Sequence, residues 1–242
     1  MPRRLTLSTH AVPTAALAFV ALLYAAPLLA GAPQINEIRI DQPSTDNDEY
    51  FELFTDPSAN LDGLTYLVIG DGSGDSGTIE AVISLAGQTA PADGFFLAAE
   101  DATLPGGETP DLTTSLDFEN SDNVTHLLVM GFSGANGDDL DTNDDCSLDT
   151  TPWTAVVDGV ALVEEANGMG MPPSGTECHY GTDLGLPLLG PDGSFVPGQV
   201  GRDPDGTGPW IIGVFDPAGG TDSPGATNAG VIPVELQSFS VD

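Results

Sequence analysis

The sequence predicts an all-β fold, an antiparallel β-sandwich with long Gly/Pro/Asp-rich loops. Three observations predict it. Short runs rich in Val, Ile, Leu and Phe recur along the chain, each bounded by Gly, Asp, Asn or Pro. With 30 Gly and 20 Pro in 242 residues, tight turns are favoured over long helices, so helix is expected to be scarce. Residues 79–85 alternate cleanly, with Ile79, Ala81, Ile83 and Leu85 on one face and Glu80 and Ser84 on the other, the pattern of a half-buried strand.

At the N-terminus, Arg3 and Arg4 precede an apolar stretch from Ala11 to Leu29 and the small residues Ala30, Gly31 and Ala32, the order of a secretory signal peptide. Pro33 is a poor residue just after such a cleavage site, so an uncleaved N-terminal anchor stands as the other reading. No later stretch is long and apolar enough to span a bilayer. The expected organisation is a signal peptide over 1–32, one β-sandwich domain over 33–230 and a C-terminal extension over 231–242. The expected location is secreted or at the cell surface.

The strands follow in order. Ile35 to Ile40 opens the series, and Tyr50 to Thr55 follows an acidic turn. Thr65 to Gly70 is apolar on both faces, which suits a central strand. Ile79 to Leu85, Phe95 to Ala99, Val124 to Met130 and Ala155 to Val163 continue it, and Trp210 to Phe215 adds a late strand. About seven strands at this spacing imply two sheets whose inner faces share one core. Gly168 to Gly208 has little periodicity and reads as a long surface excursion pinned by Cys178, not as a second domain. There is no internal repeat.

Particular residues carry a family resemblance. Ile35-Asn36-Glu37-Ile38, Asp48-Glu49-Tyr50-Phe51-Glu52-Leu53 and Leu61-Asp62-Gly63-Leu64 resemble the opening of a lamin-tail domain. The run from Gly201 to Trp210 and the run Ser223-Pro224-Gly225-Ala226-Thr227-Asn228 resemble the end of its bacterial members. The resemblance implies an immunoglobulin-like sandwich and an accessory module on secreted or surface proteins, without catalytic machinery. The tail from Val231 to Asp242 resembles the junction that often precedes a C-terminal sorting module in exported bacterial proteins, and the mature protein is expected to be released or held non-covalently.

Charge narrows the partners. The 37 acidic residues face only four Arg, and two of those lie in the signal segment. A surface this acidic repels nucleic-acid phosphates and anionic lipid heads, so direct nucleic-acid binding is not expected. Either cations are its partners or the carboxylates only keep the fold soluble.

Cys146 and Cys178 are the two cysteines. In an exported protein they are expected to pair, closing a loop of about 30 residues worth roughly 3 kcal/mol, whereas a reducing compartment would leave them as free thiols.

The segment Asp138 to Asp149 is the candidate metal site, because oxygen side chains recur at every second position and calcium takes six to eight oxygens. In the calcium-loop register Asp141, Asn143 and Asp145 take positions one, three and five, Ser147 offers its carbonyl at seven, and Asp149 falls at nine, with Asp139 beside them. Cys146 replaces the turn glycine and Pro152 stands where a bidentate Glu belongs, so this is not an EF-hand. Two readings stand: a Ca2+-stabilised loop closed by a Cys146 bridge, and a solvated acidic loop.

Weaker clusters are Asp71 to Asp75, read as a hairpin turn; Asp46 to Glu49, at a strand start; and Asp117, Glu119, Asn120 and Asp122, read as turn caps. Arg202 is expected to clamp a carboxylate, and Glu37, Glu49 and Glu52 are expected to be solvated or Arg-paired. Nucleophilic hydrolysis needs a His beside a nucleophile, and past the signal segment only His126 and His179 remain. His126 reads as a core-edge residue, and His179 points away from its neighbour Cys178 on an extended chain. The expectation is a secreted, non-catalytic binding or scaffold domain, calcium-stabilised, for adhesion or assembly with an extracellular or cell-surface protein or glycan. The alternative is an accessory domain serving a separately encoded secreted hydrolase.

Overall fold

The structure, a computed structural model, describes residues 31–41, 48–71, 76–104, 106–120, 122–164, 178–215 and 222–228. The chain divides into Met1–Ala30 and Gly31–Asp242. The first unit, with most of the expected signal peptide, lies outside the described residues, as does the expected extension 231–242.

Among the described residues, eleven strands form two sheets packed face to face, the all-β sandwich. The first sheet has the order β11-β10-β1-β2-β5-β6, from β1 (Gln34–Arg39), β2 (Tyr50–Phe54), β5 (Phe95–Ala99), β6 (Leu112–Thr113), β10 (Gln199–Arg202) and β11 (Trp210–Ile212). The second has the order β4-β3-β7-β8-β9, from β3 (Leu64–Gly70), β4 (Thr78–Ser84), β7 (Val124–Met130), β8 (Ala155–Leu162) and β9 (Leu188–Leu189). A single-turn helix, α1 (Gly181–Leu184), precedes β9. The eight expected strands are present within a residue or so at most ends, although the late one stops at Ile212.

Three differences have physical causes. The sheets are mixed, because the two-residue strands β6 and β9 pair in parallel with β5 and β8; a strand that short carries no periodic signal. The 168–208 segment is not merely a surface excursion. Its residues 168–177 lie outside the described residues, but β10 inserts between β1 and β11 through a stretch whose one aliphatic residue is Val200. Glu37, Glu49 and Glu52 are buried, not solvated.

Between the sheets lies the main core, where Ile35, Ile38, Phe51, Leu53 and Phe96 meet Tyr66, Val68, Ile83, Leu128 and Val160. The Phe51 and Tyr66 rings stack across it at 3.8 Å. Burying side chains of this size contributes roughly 1.5–3 kcal/mol each. A second cluster covers the far face of the second sheet: Leu67, Ile69, Ile79, Leu127 and Val129 lie under Leu140, Cys178 and Tyr180. This second covering explains why β3 is apolar on both faces and buried along its whole length.

The far face of the first sheet is covered by polar groups instead. A register shift between Ile35 and Glu37 brings Ile35 and Ile38 into the core while Glu37 and Arg39 face outward beside Tyr50, Glu52 and Gln199. Residues 203–208 and 222–228 close over them.

Candidate functional site

The acidic loop docks on the β3–β4 hairpin and is built by its own carboxylates. Gly77 is where the two touch: its φ is +83°, and a Cβ there would lie 2.6 Å from the Asp141 Cβ. Its carbonyl accepts from Leu140 N at 3.0 Å, and Asp138 O accepts from Ile79 N at 2.9 Å. Asp144 Oδ1 accepts from Ser76 N at 3.1 Å, tying the loop tip to the same hairpin.

Asp141 is fully buried at the centre of the loop. Its Oδ2 accepts from Cys146 N and from the Tyr180 hydroxyl, both at 2.9 Å, and its Oδ1 accepts from Asp145 N at 3.2 Å. Burial and the Asp141 carboxylate push the Tyr180 hydroxyl far above the usual phenol range, so it stays a donor. The remaining residues of the register turn to the backbone too. Asp139 Oδ1 accepts from Asp141 N at 3.0 Å, Asn143 Oδ1 from Asp145 N at 3.1 Å, Asp145 Oδ1 from Ser147 N at 3.1 Å, and Asp149 Oδ2 from Thr142 N at 3.0 Å. The first three are Asx-type bonds and the fourth closes the loop across seven residues; together they fix a loop without regular secondary structure.

Cys146 adopts φ +66° and Asp144 φ +53°, so the sharp left-handed turn falls at the position where a calcium loop carries glycine. A non-glycine residue there costs about 1–3 kcal/mol, which the surroundings must hold. The Cys146–Cys178 disulfide, with Cα atoms 5.1 Å apart, and the Cys146 N bond to Asp141 do so. The structure therefore gathers Asp139, Asp141, Asn143, Asp145, Ser147 and Asp149 into one disulfide-closed loop. The side chains of Asp139, Asp141, Asn143, Asp145 and Asp149 face amide hydrogens, however, and among the described residues no group of three or more His, Cys, Asp or Glu is arranged to hold a metal ion.

The weaker clusters sort differently. Asp71, after β3, lies beside Asp122 and Glu119, joining two stretches that are separate in sequence; burial and these carboxylates raise Asp71 to about 6. Residues 72–75 and 42–47 lie outside the described residues, but the antiparallel pairing of β3 with β4 makes the expected hairpin. His126 is fully buried, not at the core edge. Its Nδ1 meets the Tyr66 hydroxyl at 2.9 Å and its ring stands edge-on to Phe118, while burial lowers it to about 3. His179 is buried beside the disulfide, and burial lowers it as well.

Sequence reasoning missed the buried polar layer on the first sheet. Glu37 accepts from the Tyr50 hydroxyl at 2.7 Å, from Gln199 Nε2 at 2.6 Å and from Ser223 N at 3.1 Å, yet burial still raises it to about 7. Glu52 accepts from Asn36 Nδ2 at 2.7 Å and from Gly225 N at 2.6 Å, and burial pushes it up too. Asn228 donates to the carbonyls of Asn36 and Arg202. The signal was present in the opening and closing motifs, whose polar residues are the ones that meet here. Arg202 is the expected clamp: its Nη2 lies 3.0 Å from Asp158 Oδ1, its Nε donates to Ile35 O, and its guanidinium stacks on Trp210 at 4.3 Å.

A scan against protein-family models finds none that matches the chain, and searches of curated proteins and of solved structures find no match either.

Proposed function

We propose that this chain is a secreted, non-catalytic binding or scaffold domain of the bacterial lamin-tail type, exported through residues 1–32, which uses its disulfide-closed acidic loop to hold an extracellular or cell-surface protein or glycan. The observation that carries the reading is the construction of that loop. A buried Asp141, seven amide-to-carboxylate or amide-to-Asn bonds and a disulfide hold a strongly anionic surface in one shape, with Asp138, Asp139, Asp144, Asp145 and Asp149 exposed. A rigid charged loop on a packed sheet loses little conformational freedom on binding, which favours recognition. The disulfide suits an oxidising compartment.

Calcium enters this proposal through charge, not through a ready-made cage. Folding forces the loop carboxylates together, and a divalent ion relieves that repulsion by binding the folded state. To take it up, Asp139, Asp145 and Asp149 turn from their amide partners toward the ion. At free calcium 100 times the dissociation constant the gain is about 2.7 kcal/mol. The test is a melting curve in millimolar calcium, in magnesium, in chelator and in a sodium control matched in ionic strength, since sodium screens but does not coordinate. Calcium is expected to raise Tm above the control, and Asp145→Ala to remove most of the difference. Equal stabilisation by sodium would sink the calcium part of the proposal and leave a solvated acidic loop.

A further inference from the structure

A pocket of about 140 Å³ opens on the first sheet, at the end of the buried polar layer, and belongs to neither the acidic loop nor the second sheet. Arg39 of β1, Asp48, Tyr50 of β2, Leu104, Glu108 and Asp222 are among the residues that line it. The charges do not balance: three carboxylates face one guanidinium. Arg39 is ion-paired with Asp222 and lies 3.4 Å from Asp48 Oδ2. The Asp48 side chain is only 8% exposed, and its Oδ1 has no hydrogen-bond partner among the described residues. Glu108 Oε2 is likewise buried without a partner among them. A buried carboxylate oxygen left unsatisfied costs free energy that a donor would recover.

We infer that this pocket takes a primary alkylammonium group, which donates to Asp48 Oδ1 and Glu108 Oε2 while its carbon stem lies against Tyr50 and Leu104. Several features select that chemistry. An ammonium carries three N–H donors on a compact head and suits separate carboxylates, whereas a guanidinium wants one carboxylate in a plane. The Tyr50 hydroxyl is committed to Glu37, so what Tyr50 offers a ligand is its ring, a surface for an alkyl stem or a cation. Burial raises Asp48 above the usual carboxylate range, as expected of an acid whose counter-charge is insufficient. Both oxygens are screened from solvent, and Glu108, half-buried on the loop after β5, is the side chain that swings to admit the head group. The chain contains no lysine, so the ammonium comes from another molecule, as a free amine or as a lysine side chain of a partner drawn by the net charge of −33.

The experiment titrates the secreted protein with Nα-acetyl-lysine methylamide, followed by calorimetry and by chemical shifts, with n-butylammonium, the Nε-acetylated lysine amide and sodium chloride in parallel arms. Saturable binding of the lysine amide is expected, with none for the Nε-acetylated form. Glu108→Gln, a half-buried position that leaves the Arg39 ion pairs in place, is expected to weaken binding about tenfold, the worth of one charge-assisted hydrogen bond. Asp48→Asn should weaken it too, with the fold checked by its melting curve. Equal affinity for n-butylammonium identifies a free amine as sufficient, and tighter binding of the lysine amide points to a partner's lysine. Absence of saturation, competition by sodium at equal concentration, or affinity unchanged in Glu108→Gln overturns the inference. Because the pocket lies on the opposite sheet from the acidic loop, none of these outcomes depends on calcium.

Discussion

The Tyr180 hydroxyl donates to Asp141 Oδ2 at 2.9 Å, in a site where Asp141 is fully buried and Tyr180 is packed against the second sheet. Tyr180 lies two residues beyond Cys178, so this bond and the disulfide fasten the same two segments side by side. The pairing makes Asp141 the organiser of the loop, the group on which Asp145 N and Cys146 N converge, and not an outward-facing ligand.

Removing this organiser is expected to destabilise the fold in chelator, where calcium plays no part. Asp141→Ala leaves the Asp145 and Cys146 amides and the Tyr180 hydroxyl without their acceptor, an expected loss of about 3 kcal/mol in urea denaturation. Tyr180→Phe should cost less, about 1 kcal/mol. Gly77→Ala adds a Cβ where the Asp141 side chain and backbone leave no room, at a positive φ, and should expose the loop to proteolysis. A melting curve for Asp141→Ala identical to that of the unaltered protein would refute the assignment.

Across the sandwich, Asp158 of β8 answers Arg202 of β10 and also accepts from Ile35 N at 2.8 Å, so one carboxylate joins both sheets. Breaking a largely buried pair by removing one partner costs about 3–5 kcal/mol, because the other charge is left stranded. Asp158→Asn keeps an acceptor for Ile35 N but strands the guanidinium, and Arg202→Lys loses the fork and the flat contact with Trp210. Both are expected to lower the denaturation midpoint, and the double variant to lose less than the sum of the two. Strict additivity would show that the pair is not coupled.

The long strands were legible because each carries a periodic apolar signal, as β4 and β7 do. The disulfide was legible from cysteine number and the expected export, and the Arg202 clamp from the scarcity of cations. What escaped was made by tertiary pairing. Strands β6 and β9 are two residues long, and β10 holds its place because Arg202 and Gln199 are bonded there, not because of apolar alternation. Glu37 and Glu52 look like surface acids in sequence. Their burial depends on amides from residues 223–225, far along the chain, and no local pattern announces such a partner. The acidic loop was legible as a loop rich in oxygen ligands, but the turning of those oxygens toward its own amides was not.

Two buried groups set opposite limits on the pH range of stability. His126 is lowered to about 3 from a usual value of 6.5, so an unfolded chain takes up a proton below pH 6.5 that the folded chain refuses until about pH 3. Its contribution is complete above 6.5 and is lost as pH falls toward 3. Glu37 is raised to about 7 from 4.5, so the folded chain keeps a proton that the unfolded chain gives up. That contribution is complete below 4.5 and is lost as pH rises through 7, and Glu52, also raised, acts in the same direction. Each group contributes a slope of about 1.4 kcal/mol per pH unit within its window. Between 4.5 and 6.5 the His126 and Glu37 slopes cancel, so variants are needed to separate them. Glu37→Gln lacks the titration and is expected to gain on the unaltered protein by about 3 kcal/mol between pH 4.5 and pH 7.5, whatever the substitution costs at a single pH. His126→Asn is expected to flatten the acid limb between pH 6 and pH 4. Denaturation of the three proteins across that range reads both slopes. A difference between Glu37→Gln and the unaltered protein that stays constant with pH would mean that Glu37 is ionised in the fold, with its donors Tyr50, Gln199 and the amide and hydroxyl of Ser223 outweighing its burial.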